Sequence, residues 1–416
     1  MEAGTDTMLL SLKWERPNLE IVDQLVLPHK HVWVKINTSN DAFTAIKTMQ
    51  VRGAPAIAVV AGLGLAAEVI SDKKSLESGK DAVSYLKERM SYLRRARPTA
   101  VNLAEAMDLL TSVVDTAYSQ ILTESDLQLQ SKFVVDSFVE AAEGLLVRDI
   151  SDNKAIGKFG CEYITSKYLQ KVSQNSNTTG SNGFSVLTHC NTGSLATAGY
   201  GTALGIIRSL SKNSSDLKHV YCTETRPYNQ GSRLTAYELL CEKIPFTLCF
   251  DSSISYLIQQ LQKKAETNDT SSASSPVFAI IVGADRVTRN GDTANKIGTY
   301  QLALLARNFG LEFIVAVPST SIDLKLSDGD SIPIEYRASE EVTMVSGMLV
   351  SSERGVDAVG SRATVRVAPE GEYGVYNPGF DVTPANLITA IVTEKGTIST
   401  KLPDGTFDIE SFLSSV

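Results

Sequence analysis

Phe184-Ser185-Val186-Leu187-Thr188-His189-Cys190-Asn191-Thr192-Gly193 passes from a short apolar run into a polar segment that ends on glycine. A run this short, closed by turn-forming residues, predicts a strand buried on both faces. Helical spacing follows over residues 195–210, and the unit then recurs. Residues 220–223 precede a helical pattern at 232–243, residues 246–249 precede one at 252–264, and residues 277–282 precede one at 294–308, with 313–317 closing the series. Strand followed by helix, repeated, requires right-handed crossovers and a parallel sheet covered on both faces. Ligands of such sheets bind beyond the carboxyl ends of the strands.

Upstream the pattern is different. Residues 31–36 are strand-like, while 41–49, 55–70, 81–93, 101–123 and 130–147 carry helical periodicity. The expected architecture is therefore α/β, with a mainly helical N-terminal domain over residues 1–150 and a larger parallel-sheet domain over 151–416. Polar runs at 173–183, 213–217 and 268–276 read as solvated loops.

With 43% hydrophobic and 21% charged residues over 416 positions, the chain has the balance of a globular protein with more than one core. A formal charge of -8 argues against the cationic surface that nucleic acid requires. No membrane-spanning run of roughly 18 to 20 apolar residues and no secretory leader are expected. A cytoplasmic protein is therefore expected, with nuclear residence left open. Cys161, Cys190, Cys222, Cys241 and Cys249 are scattered and odd in number, which suits reduced thiols better than a disulfide frame or a metal knuckle.

Several strand or helix ends concentrate reactive side chains. Arg52-Gly53-Ala54-Pro55 precedes an apolar helix, where free N–H groups and a guanidinium can hold a phosphate, and Arg97-Pro98-Thr99 repeats the theme. Cys190 sits where a strand should end and a helix begin, a position that favours thiolate. His189 beside it reads as structural. Asp285 follows the strand at 277–282, where desolvation would raise its pKa and suit it to acid-base work. Asn295-Lys296 is expected to open the next helix, and the loop from Glu224 to Arg233, which includes Gln230, belongs to the same crevice.

In order and combination these segments resemble the methylthioribose-1-phosphate isomerases over nearly the whole chain. The matching stretches are Arg52-Gly53-Ala54-Pro55-Ala56, Arg97-Pro98-Thr99, His189-Cys190-Asn191-Thr192-Gly193, Glu224-Thr225-Arg226-Pro227 with Gln230-Gly231, Gly283-Ala284-Asp285-Arg286, and Asn295-Lys296-Ile297-Gly298-Thr299. The resemblance implies a Rossmann-like C-terminal domain, a homodimer, and a small phosphorylated sugar as substrate. It implies Cys190 and Asp285 as catalytic residues, the aspartate as proton donor. Substrate contacts would fall on Arg52, Gly53, Ala54, Arg97, Gln230, Asn295 and Lys296. With no metal cluster or dinucleotide fingerprint in the sequence, no cofactor and no metal are expected. Two other readings stay open: an isomerase for ribose 1,5-bisphosphate, and a non-catalytic regulatory subunit of a translation-initiation guanine-exchange complex, which shares the fold.

Overall fold

The computed structural model describes residues 9–71, 76–98, 100–174, 183–266, 275–350 and 360–415. The first described elements form an antiparallel sheet of β1 (Leu12–Glu15), β2 (Asn18–Val22) and β3 (Trp33–Ile36). Of the three, only β3 lies in a segment expected to be a strand. Five helices follow: α1 (Ser39–Lys47), α2 (Ala54–Ser71), α3 (Gly79–Arg94), α4 (Val101–Ile121) and α5 (Leu127–Gln174). A capping box starts α1, in which the Thr38 hydroxyl accepts from the Asp41 N–H at 3.1 Å and the Asp41 carboxylate accepts from the Thr38 N–H at 2.9 Å.

Apolar on every face, α2 runs through the middle of this bundle and packs against α1, α4 and α5. Its 18 residues, with mean hydropathy 1.8, would suffice by length and composition to cross a membrane, which corrects the expectation that no such run exists. Burial of 67% of that window inside the protein supplies the other reason for its composition: it is a core helix. The 48-residue α5 packs its first half on α2, α3 and α4. Its second half, with Ile156, Cys161, Ile164 and Tyr168 buried at helical spacing, packs on the second layer of structure. Residue 150 thus falls inside a continuous helix, and no break in secondary structure marks the division placed there.

The second layer comprises β4 (Phe184–Thr188), α6 (Ala203–Asn213), β5 (Leu217–Thr223), α7 (Ala236–Cys241), β6 (Phe246–Cys249), α8 (Ile254–Glu266) and β7 (Val277–Gly283). It continues through β8 (Arg286–Thr288), β9 (Thr293–Lys296), α9 (Thr299–Phe309), β10 (Glu312–Ala316) and β11 (Ile322–Asp323). The last elements are α10 (Glu340–Thr343), the hairpin β12 (Met344–Met348) and β13 (Arg362–Arg366), then β14 (Phe380–Thr383), β15 (Ala390–Thr393), β16 (Gly396–Ile398) and α11 (Ile409–Ser415).

The main sheet has the order β16-β15-β10-β7-β4-β5-β6, parallel throughout except for the antiparallel edge strand β16. Numbered in chain order and read from β6, its six parallel strands lie 3-2-1-4-5-6, so the winding reverses between β4 and β7. Crevices at such a reversal are where doubly wound sheets bind ligands. The two strands are in register there, Thr188 opposite Ile281, so the loops that leave them are neighbours. Separate apolar cores cover the two faces of the sheet, one around Phe184, Val186, Ile206 and Ile281, the other around Ile280, Val282, Phe313 and Leu302.

Two helix starts differ from expectation, and both differences bear on the site. The helix predicted from residue 195 begins only at Ala203, after a single 3-10 turn at Ser194–Ala196. The helix predicted from residue 294 begins at Thr299, because Gly291, at φ +93°, turns the chain back and lets β9 pair with β8 and β14 in a small second sheet. Asn295 and Lys296 therefore stand on a strand, and periodicity alone could not separate that short strand from the helix after it. Of the three expected loops, 213–217 is a tight link between α6 and β5; residues 175–182 and 268–274 of the other two lie outside the described residues.

Candidate active site

Cys190 leaves β4 in the left-handed region, φ +66°, a conformation that costs a non-glycine residue about 1 kcal/mol or more unless its surroundings impose it. The surroundings do so. Its N–H donates to the Thr225 hydroxyl at 2.9 Å, and its carbonyl accepts from the Thr235 hydroxyl at 2.5 Å. The next helix, α6, starts well past the thiol, so the expected dipole is missing; the cation near it is Lys296, whose charged form is favoured by both Cys190 and Asp285. His189 is buried, and burial lowers its pKa, so the ring is neutral. Its Nε2–H donates to the Ile297 carbonyl at 2.8 Å and its Nδ1 accepts from the Thr223 hydroxyl at 2.6 Å. Both nitrogens are occupied, which makes His189 structural.

The loop before α2 presses on the loop after β4. Arg52 is 8% exposed; its Nη2 donates to the Asn191 carbonyl at 3.0 Å and to the Asn191 side-chain oxygen, while its buried Nε has no partner among the described residues. Gly53 sits at φ +102°, and a side chain there would run into the backbone of Ala196. Only glycine meets both conditions.

Asp285 follows β7, its N–H bonded to the Ala294 carbonyl at 2.9 Å. Among the described residues nothing donates a hydrogen bond to its carboxylate. Burial raises its pKa; Lys296, Arg97 and Arg52 pull it back down, and Glu335 pushes it up again. Lys296 on β9 donates to the Gly379 carbonyl at 2.9 Å and lies 4.2 Å from the centre of the Phe380 ring. Burial lowers its pKa, offset in part by Cys190 and Asp285. Asn295 anchors its amide on the Thr299 hydroxyl at 3.0 Å. Gln230 precedes a π-helical turn, Gly231–Thr235, and its buried Oε1 has no partner among the described residues. Turns of this kind recur at functional sites.

One cleft is lined by Arg52, Gly53, Ala54, Arg97, Cys190, Gln230, Asp285, Asn295 and Lys296 together. Residue Thr99 of the Arg97 segment lies outside the described residues. Part of the lining went unread in the sequence: Ile332, Ile334, Glu335, Arg337, Glu341 and Phe380 come from irregular segments or short elements with no period to reveal them. Arg337 there is matched by carboxylates, 3.0 Å from Glu335 and 2.5 Å from Glu341. Arg97 reaches Glu335 at 3.7 Å. Among the described residues no three His, Cys, Asp or Glu side chains group as metal ligands.

Residues 50–400 match the model of the Initiation factor 2 subunit family. The chain is 48% identical to methylthioribose-1-phosphate isomerases from Sordaria macrospora and Neurospora crassa, over 97% of its own length and 98% of theirs. Its fold is similar to a crystal structure of 5-methylthioribose 1-phosphate isomerase from Pyrococcus horikoshii OT3, with TM-score 0.76 and 31% identity over 99% of this chain and 97% of that one. A translation initiation factor eIF-2B delta subunit from A. fulgidus is also similar, with TM-score 0.69 and 30% identity over 94% of this chain and 96% of that one.

Proposed function

The chain belongs to the Initiation factor 2 subunit family, on the side of its methylthioribose-1-phosphate isomerases, and from that premise we propose that it isomerises 5-methylthioribose 1-phosphate to 5-methylthioribulose 1-phosphate in methionine salvage. The observation that carries this reading is the delivery of Cys190 and Asp285 from adjacent strands to one cleft, among three cations. Residues 1–150 act as the helical domain that supplies Arg52 and Arg97, and residues 151–416 as the Rossmann-like catalytic domain.

Arg52, Arg97 and Lys296 hold the phosphate, and the unpartnered Nε of Arg52 supports that role. A bound phosphate offsets the cations that hold down the Asp285 pKa, so binding favours the protonated acid. Asp285 then gives its proton to the ring oxygen as the bond from that oxygen to C1 breaks. Hydrogen moves from C2 to C1 with Cys190 alongside, and the C2 hydroxyl proton returns to Asp285 as the ketone forms. Gln230 and Asn295 fix the sugar hydroxyls.

Ribose 1,5-bisphosphate would bring a second phosphate against a wall where Arg337 is already matched by Glu335 and Glu341, beside Met49, Ile332 and Ile334. The apolar neighbours suit a methylthio group better than a second anion. The likeness to the delta subunit favours the third reading, a regulatory role without turnover, but a scaffold has no use for a half-buried carboxylate left without a donor in the same cleft as a thiol. Proton and phosphorus NMR of the purified chain with each sugar phosphate in D2O tests all three. Turnover of 5-methylthioribose 1-phosphate alone is the expected result; deuterium at C1 would mark a proton route in place of direct C2-to-C1 transfer. No turnover of either by folded protein would sink the enzymatic reading.

The chain is further read as a cytoplasmic homodimer that needs no cofactor. Leu248 and Phe250, exposed at 44% and 60% by the edge strand β6, with Leu240 and Tyr256 nearby in sequence on α7 and α8, suit a second copy. Light scattering showing a monomer at micromolar concentration would remove that part.

A further inference from the structure

Glu238 on α7 is fully buried and does not line the cleft, yet its carboxylate reaches the loop that carries Cys190. One oxygen accepts from the Asn191 amide at 2.7 Å and the Leu195 N–H at 3.2 Å. The other accepts from the Ser194 N–H at 2.7 Å and the Arg208 guanidinium at 2.6 Å. All four partners are donors. A carboxylate accepts at both ends, whereas a glutamine in either orientation would set its own N–H groups against two donors. Arg208, 1% exposed, supplies the compensating charge and is itself held by Glu242 at 2.6 Å. Gly193 completes the fit, since a side chain there would collide with the Glu238 carboxylate.

Asn191 links this group to the cleft. Its amide nitrogen faces Glu238, while its side-chain oxygen and backbone carbonyl accept from Arg52. We infer that Glu238 is a positioning residue, which fixes Cys190 through the backbone of its loop and Arg52 through Asn191. The inference rests on the isomerase reading for its kinetic test, and a second readout keeps the two separable.

The experiment compares the full chain with Glu238→Gln and Asn191→Ala, each checked for folding by circular dichroism. Glu238→Gln is expected to lower kcat about 10- to 100-fold per folded molecule, the scale on which a small misplacement of reacting groups acts. Asn191→Ala, which removes the amide bridging Glu238 and Arg52 but keeps the Asn191 carbonyl for Arg52 and the Ser194 and Leu195 bonds of Glu238, should act mainly on KM, raising it roughly tenfold. A structural role alone would reduce the folded fraction and leave both constants of the folded enzyme in place. Folded Glu238→Gln with kcat within about threefold of the parent would overturn the inference. Should that variant not fold, an unchanged KM in Asn191→Ala would do so. If the parent itself turns over neither sugar phosphate, the isomerase reading fails alone. Hydrogen exchange at the Ser194 and Leu195 amides then decides the positioning role: faster exchange in Glu238→Gln supports it, and unchanged exchange refutes it.

Discussion

The loops after β4 and β7 leave adjacent strands and face the same cleft, yet they are built in opposite ways. The β4 loop is tied repeatedly: Thr225 and Thr235 hold Cys190, Glu238 holds Asn191, Ser194 and Leu195, and the Asp149 carboxylate accepts from the Ala198 N–H at 2.6 Å. The β7 loop is fixed through its backbone, and among the described residues no donor reaches the Asp285 carboxylate. A group that must take and give a proton gains from having its acceptors free. A group whose position matters gains from being pinned. On the proposed mechanism, rigidity would serve the thiol side and proton traffic the carboxylate side.

The largest test falls on the unpinned side. Asp285→Asn should fold normally and lose roughly 10²- to 10⁴-fold in kcat, the usual worth of a general acid, as read by NMR turnover. In the parent, the raised Asp285 pKa keeps the acid protonated to higher pH than an ordinary aspartate, so kcat/KM should fall as pH rises through that pKa. A profile with no such alkaline limb would take proton donation away from Asp285.

Next comes the loop before α2, which meets the β4 loop through Arg52 and Gly53. Arg52→Met removes a buried guanidinium and should raise KM about 10- to 100-fold with a smaller change in kcat, the range for one charge-assisted contact. An unaltered KM would place the phosphate elsewhere. Gly53→Ala should cost about 1 to 3 kcal/mol of stability, since it adds both a strained φ and a collision with Ala196. Thermal melting checks this, and an unchanged Tm would mean that the loop before α2 and the loop after β4 can move apart.

The smallest effect concerns Asp149. Burial, with Asp152 nearby, raises its pKa to about 7, while the Ala198 and Asn153 hydrogen bonds pull it down. Its unfolded value is about 4, so the folded state binds the proton more tightly and stability falls as pH rises from about 4 to about 7. Asp149→Asn keeps an oxygen for the Ala198 N–H and carries no charge. It should flatten that slope, by on the order of 1 kcal/mol once solvent screening is allowed for. Denaturant titrations at pH 5 and pH 8 measure it; an equal slope in both proteins would show that the carboxyl is ordinary.

Local pattern was enough to establish the alternation of strands and helices, the apolar faces that bury them, and the placement of Cys190 and Asp285 just past strand ends. A period of 2 or 3.6 and a turn residue can be read within a few neighbours, and Cys190, Asp285 and the Arg52-Gly53-Ala54 turn were legible on that basis. The same local reading ran α9 back over residues 294–298, because a four-residue strand carries too little period to separate from a helix that follows it. That β4 and β7 are neighbours at the reversal of the sheet, and that residues 293–296 pair as a strand, emerged from the folded chain alone. So did the meeting of Glu238 with Asn191 and the placement of Arg337 and Phe380 across the cleft. Those outcomes depend on pairings between segments far apart in the chain, settled by which surfaces exclude water together and which buried donors find acceptors, and no local window of sequence contains them.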